Sequence, residues 1–216
     1  MNKQPDIPEI LYRGFDALEH AHAFVDEGIV RLGRLDNYCN LEDARRRDAD
    51  EGKAKLLMPV PDSQDVTDVI PTECKGRNWV YVLCCSGAHP ADVASKFGPY
   101  VVRINNPGRL IADIRSYLSS NPVVPNPSVD PRWVTYDRDA AATRSLDADE
   151  LLTLSYSQKS ASFAAEQEYR IVILSLLTYK HPNRDPMASA HIFLRLNRRL
   201  SYCDVLPAES NPICPS

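Results

Sequence analysis

Glu166, Gln167, Glu168 and Arg170 stand at the entry to the apolar run Ile171-Val172-Ile173-Leu174. If the strand expected over that run extends back across them, alternation puts Glu166, Glu168 and Arg170 on one face. Two carboxylates at that spacing repel each other and draw in a cation or a hydroxyl. Such a pair suits glycosidic chemistry. One carboxylate can hold a ribose hydroxyl and stabilise the positive charge that grows on a sugar as its leaving group departs. The same residues also fit an exposed strand end held by cross-strand ion pairs.

Three other places carry polar groups of interest. In Leu11-Tyr12-Arg13-Gly14 an arginine ends a short strand, and its guanidinium can fork onto a phosphate or carboxylate. In Cys84-Cys85-Ser86-Gly87 a serine ends an apolar run, where it can bond a carboxylate or a ribose hydroxyl, or simply start a turn. From Arg34 through Tyr38 to Arg45-Arg46-Arg47 and Glu51, acids and arginines alternate densely. That mixture usually forms a solvated face, but Tyr38 and an arginine there could also line a nucleotide site.

These residues need elements to position them. Strands are expected over 10–13, 29–32, 79–85, 100–104, 133–136, 169–177 and 191–196. A helix is expected over 16–27, capped by Asp16 and ended by Gly28, and another over 107–119, opened by Pro107. Residues 147–154 read as a helical turn and 41–52 as a charged surface helix or loop. The prolines of 59–77 and 121–131 predict loops. The elements do not alternate regularly, which predicts an α+β class. Residues 1–206 are expected to form one domain and 207–216 a frayed, proline-containing tail.

Composition narrows the classes. Of 216 residues, 44% are hydrophobic and 25% charged, as in ordinary globular chains. A formal charge of −4 gives no global basic field toward nucleic acid or anionic lipid. The longest apolar run, 171–177, is far short of the roughly 18 residues that span a bilayer. The opening Met-Asn-Lys-Gln-Pro-Asp lacks the apolar stretch of a secretion signal, so a cytoplasmic location and reduced cysteines are expected. No C-x-x-C occurs, and His20 and His22 would face different directions on a helix, so no metal is expected.

Taken in order, Arg13, Ser86 and Glu166-Gln167-Glu168 resemble the pattern of the arginine–serine–glutamate class of ADP-ribosyltransferases. The resemblance implies a split, mostly antiparallel mixed sheet with NAD as substrate. Arg13 would steady its phosphates or ribose, and Ser86 would support Glu168. Glu168 would hold the nicotinamide ribose as an oxocarbenium forms, Glu166 would select or activate the acceptor, and Phe163 would touch cofactor or target. The chain departs from that pattern in having Cys84-Cys85 before Ser86 and Arg170 beside Glu168. The spacing Lys159…Phe163-x-x-Glu166-x-Glu168-x-Arg170 is also similar to that of uncharacterised bacterial proteins. That resemblance implies a toxin-like or phage-defence effector, acting on a protein or nucleic-acid acceptor and paired with an antitoxin. Two rivals stand beside the enzyme. A non-catalytic module binding nucleic acid or protein predicts that Glu166 and Glu168 are locked in salt bridges with Arg170 or its neighbours. A metal-dependent nuclease using the same acids is opposed by the lack of a lysine two positions after them.

Overall fold

The computed structural model describes residues 6–35, 53–59, 69–75, 80–121, 127–137, 148–175 and 191–207. Apolar and β-branched residues fill Val80–Ser86 (β5) and Glu168–Ser175 (β8), as strands buried on both faces require. The two pair antiparallel throughout, from Val80 opposite Leu174 to Ser86 opposite Glu168. On the far side of β8 lies Pro127–Trp133 (β7).

The other edge of β5 is shared by two strands. Leu11–Phe15 (β1) meets it only at Tyr12–Ser86. Ile29–Arg34 (β2) meets it only at Gly33–Val82 and Arg34–Tyr81. The sheet therefore forks along β5. One branch continues from β1 through Tyr100–Ile104 (β6) to Cys203–Val205 (β10), and the other from β2 to His191–Arg195 (β9). All these pairings are antiparallel, giving an α+β fold around an open eight-stranded sheet.

Alternation sorts the interior onto two faces. Leu11, Leu32, Tyr81, Leu83, Tyr169 and Ile171 pack against Leu18–Asp26 (α1) and Pro107–Ser120 (α3) in the main core. Asn106 opens α3 by accepting the Arg109 N–H at 2.9 Å, a side-chain cap of the expected kind. The opposite face carries Pro90–Phe97 (α2) at one end, where Val93 and Ala94 meet Val101 and Tyr12. Ala148–Ser157 (α4) lies at the other end, where Leu152 and Tyr156 meet Val82 and Val172. Gly14 allows α2 its close approach, since a Cβ there would lie 2.8 Å from the Phe97 Cβ. Among the described residues no helix is long and apolar enough to cross a membrane.

Several sequence expectations are corrected. Proline-rich 59–77 was expected as loop, but Lys53–Pro59 (β3) and Val69–Lys75 (β4) form a hairpin. In a two-stranded sheet each strand pairs on one side only, so Pro71 can lack an N–H without breaking a ladder bond. The same reasoning explains β7, which contains Pro127 and Pro131 and lies on the sheet edge, where a loop was expected. The strand placed at 133–136 is only the end of β7, followed by a single bridge from Thr135 to Gln158. Helix α1 is capped by Ala17 rather than Asp16, without a side-chain cap bond. Helix α2 and strand β10 were not expected at all. Tyr38, the arginines at 45–47 and the tail beyond 207 lie outside the described residues.

Candidate functional site

Between the two apolar clusters on the α2–α4 face runs a strip of buried charge. Glu168 and Arg170 are two apart on β8 and share this face. Arg170 Nε and one terminal nitrogen donate to Glu168 Oε1 and Oε2 at 2.8 and 3.1 Å, a bidentate pair. Its other terminal nitrogen donates to the Tyr156 carbonyl on α4 at 2.8 Å. Lys159 Nζ then joins both acids, 2.7 Å from Glu166 Oε2 and 2.8 Å from Glu168 Oε2. Lys96 of α2 reaches Glu166 Oε1 at 2.9 Å. Arg170, Glu166, Glu168 and Lys159 are 1%, 2%, 4% and 6% exposed, so these charges are paired out of water.

Glu166 reaches the strip differently from the expectation. It does not lie on the strand with Glu168. It ends a 3-10 turn, Ala161–Glu166, and Gln167 follows with φ 42° in the left-handed region before β8 begins. Lys159, not strand alternation, brings the two carboxylates together. The turn also sets Phe163 over the ammonium groups of Lys159 and Lys96, whose Nζ atoms lie 5.2 and 5.7 Å from its ring centre.

Ser86 is buried and its hydroxyl donates to the Glu166 carbonyl at 2.5 Å while accepting the Ala88 N–H at 3.0 Å. It supports the backbone of Glu166 rather than the carboxylate of Glu168. Gly87 donates its N–H to the Gln167 carbonyl at 2.8 Å and lies under Trp133, where a Cβ would come within 2.8 Å of the indole. The Tyr136 hydroxyl accepts the Glu168 N–H at 2.7 Å.

Arg13 is not part of this site. Tyr12 is opposite Ser86, so Tyr12 shares the face of Glu168 and Arg13 points to the other. Its guanidinium fills the fork in the sheet, donating to the Cys84 carbonyl of β5 at 3.0 Å and to the Arg31 carbonyl of β2 at 3.3 Å. Those are strand carbonyls left over where β1 and β2 diverge. The structure thus gathers Ser86, Phe163, Glu166 and Glu168, and leaves Arg13 behind the sheet. Sequence reasoning missed Lys96, Tyr136 and Tyr156. The helix that carries Lys96 had a signal, His89-Pro90 at its start and Gly98 at its end, but nothing in the sequence links that lysine to Glu166.

The electrostatics follow from the packing. Burial alone would raise the Glu168 pKa, but Arg170, Lys159 and their hydrogen bonds outweigh it and hold the carboxyl well below the usual range. Glu168 is therefore a fixed anion at neutral pH, unsuited to passing protons. Burial, with Glu168 beside it, pushes the Cys84 thiol up. Among the described residues no group of His, Cys, Asp and Glu is arranged to hold a metal ion. Comparison with known protein families, curated proteins and solved structures finds no match.

Proposed function

We propose that this protein works by binding a nucleic acid, with the Glu166–Glu168 strip as the framework of its sheet rather than a reacting centre. The observation that carries the reading is the ion pairing of both carboxylates, by Lys96, Lys159 and Arg170. A carboxylate meant to stabilise a growing oxocarbenium should face it without cations at its own oxygens. Here three cations surround two acids, a balance that opposes a second positive charge. A nucleic acid is favoured as partner because the exposed Arg31 and Arg195 have no carboxylate paired with them among the described residues. The chain's net charge of −4 confines attraction to such local patches.

Titration of labelled oligonucleotides at about 50 and 200 mM salt tests this. Two or three phosphate contacts predict that affinity falls about ten-fold across that range. Binding that ignores salt, or no binding, would remove the reading.

One observation favours a second reading, ADP-ribosyl transfer from NAD to a macromolecule. Arg13, Ser86 and Glu168 fall on three contiguous strands, β1, β5 and β8, with Ser86 directly opposite Glu168. On this geometry NAD phosphates would have to draw Lys96 and Lys159 away from the acids, since Arg13 lies behind the sheet. Incubation with labelled NAD and cell extract decides between them. Label transfer or nicotinamide release by wild type, lost in a folded Glu168→Gln variant, would establish the transferase.

A further inference from the structure

The β2–β9 branch presents an unusual surface on the strip's side of the sheet. Register sets three pairs side by side there: Gly33 opposite His191, Arg31 opposite Phe193, and Ile29 opposite Arg195. Their alternates, Val30, Leu32 and Leu194, turn inward to the main core. Phe193 is 53% exposed, the most open of the large hydrophobic side chains described. An exposed aromatic side chain on a strand, with an arginine directly across and another two positions along, is a poor choice for solvent. It is a good one for a base and its phosphates. Arg31 donates to His191 Nε2, and burial together with Arg31's charge lowers the His191 pKa, so the imidazole accepts as a neutral ring.

The surface ends in a depression of about 350 Å³ lined by Ile29, Arg195, Asn197, Arg198, Asp26 and Glu27. Its acids are partly answered already, Asp26 lying 3.5 Å from Arg199, and Arg198 is paired with Asp113. Among the described arginines of this surface, Arg31 and Arg195 are thus the ones with no carboxylate partner to keep them from a polyanion.

We infer that the β2–β9 ribbon is a stacking platform for single-stranded nucleic acid, with a base on Phe193 and backbone phosphates on Arg31 and Arg195. The inference rests on the binding reading above and gives it a place and a strand preference. Inside a duplex each base is stacked on its neighbours and offers no face to such a ring, whereas an unpaired base does.

Fluorescein-labelled oligo-dT and oligo-U of about 15 nucleotides, within the range such platforms cover, are titrated by anisotropy against the full chain. A duplex of the same length serves as control. Phe193→Ala should weaken single-strand binding about five- to a hundred-fold, the range for loss of one stacked base, and Phe193→Trp should restore it. Arg195→Gln should weaken binding and make it less salt-dependent. Phe193 and Arg195 are exposed, so all three variants should fold, and circular dichroism checks that they do. If wild type binds but Phe193→Ala binds equally well, or the duplex binds as tightly as the single strand, the platform is overturned and the binding reading stands. If wild type binds no oligonucleotide, both fall.

Discussion

Lys159 is the side chain on which the buried strip depends. Its ammonium touches Glu166 and Glu168 at 2.7 and 2.8 Å with almost no water nearby. Lys159→Met keeps the stem and removes the charge, leaving two buried carboxylates short of a partner. A loss of about 3–5 kcal/mol is expected, read as a lower urea midpoint with unchanged slope. Lys96→Met removes the other contact of Glu166, but Lys96 is 27% exposed and water can replace it, so about 1 kcal/mol or less is expected. Equal losses would mean that the strip is wetter than its packing implies. The cysteines offer a separate check. Burial raises the Cys85 thiol to about 11 and the Cys203 thiol to about 12, so neither is a thiolate at pH 8. Iodoacetamide should leave Cys84, Cys85 and Cys203 unlabelled in the native protein and label them once urea unfolds it, as peptide mass spectrometry would show. At this scale the sequence was partly legible. Lys159, Phe163, Glu166, Glu168 and Arg170 fall within twelve positions, and their spacing signals a cluster. Lys96 comes from seventy positions away from Glu166, and no local pattern announces such a contact.

At the scale of elements, Arg13 decides whether the fork in the sheet is closed. β1 and β2 leave β5 at opposite ends, and the guanidinium bridges the gap by bonding the Cys84 and Arg31 carbonyls. Arg13→Met should strand the part-buried Cys84 carbonyl and leave the exposed Arg31 carbonyl to water, at about 1–2 kcal/mol in all, or a melting point lower by several degrees. If Arg13 served NAD phosphates instead, the same variant would keep its melting point and lose only NAD-dependent activity, so calorimetry separates the two roles. β5, β8 and α3 were legible because their apolar patterns are long and unbroken by proline. The β3–β4 hairpin and β7 were hidden by prolines, which read locally as breakers. Only the sheet's topology shows that these strands have an unpaired edge where a missing N–H does no harm. The 3-10 turn was missed because Ala161–Glu166 carries no period of its own. Treating it as an extension of β8 gave Glu166 the right neighbour by the wrong route.

For the whole molecule, the strip ties stability to acid. Glu168 titrates below its ordinary 4.5 when folded, so the stability it confers is fully present above about pH 4.5 and is lost as pH falls below that. His191 contributes at a higher window. Its folded pKa lies below the ordinary 6.5, so protonating it begins to disfavour the fold as pH drops through that value. Two descending limbs are therefore expected in melting temperature against pH, a shallow one starting near 6.5 and a steeper one below 4.5. His191→Gln should flatten the first and leave the second. Glu168→Gln should melt lower at pH 7, where it strands Arg170, yet fall less steeply in acid, so that its curve converges on wild type. Curves that stay parallel would show that Glu168 is not the ionised hub of the strip. They would reopen it as a carboxylate free to meet a substrate, since a group that gains nothing from ionising in the fold is not held by Arg170 and Lys159. The acid limb thus bears on function as well as stability: convergence supports a sheet built to bind, and parallel curves return the balance to ribosyl transfer.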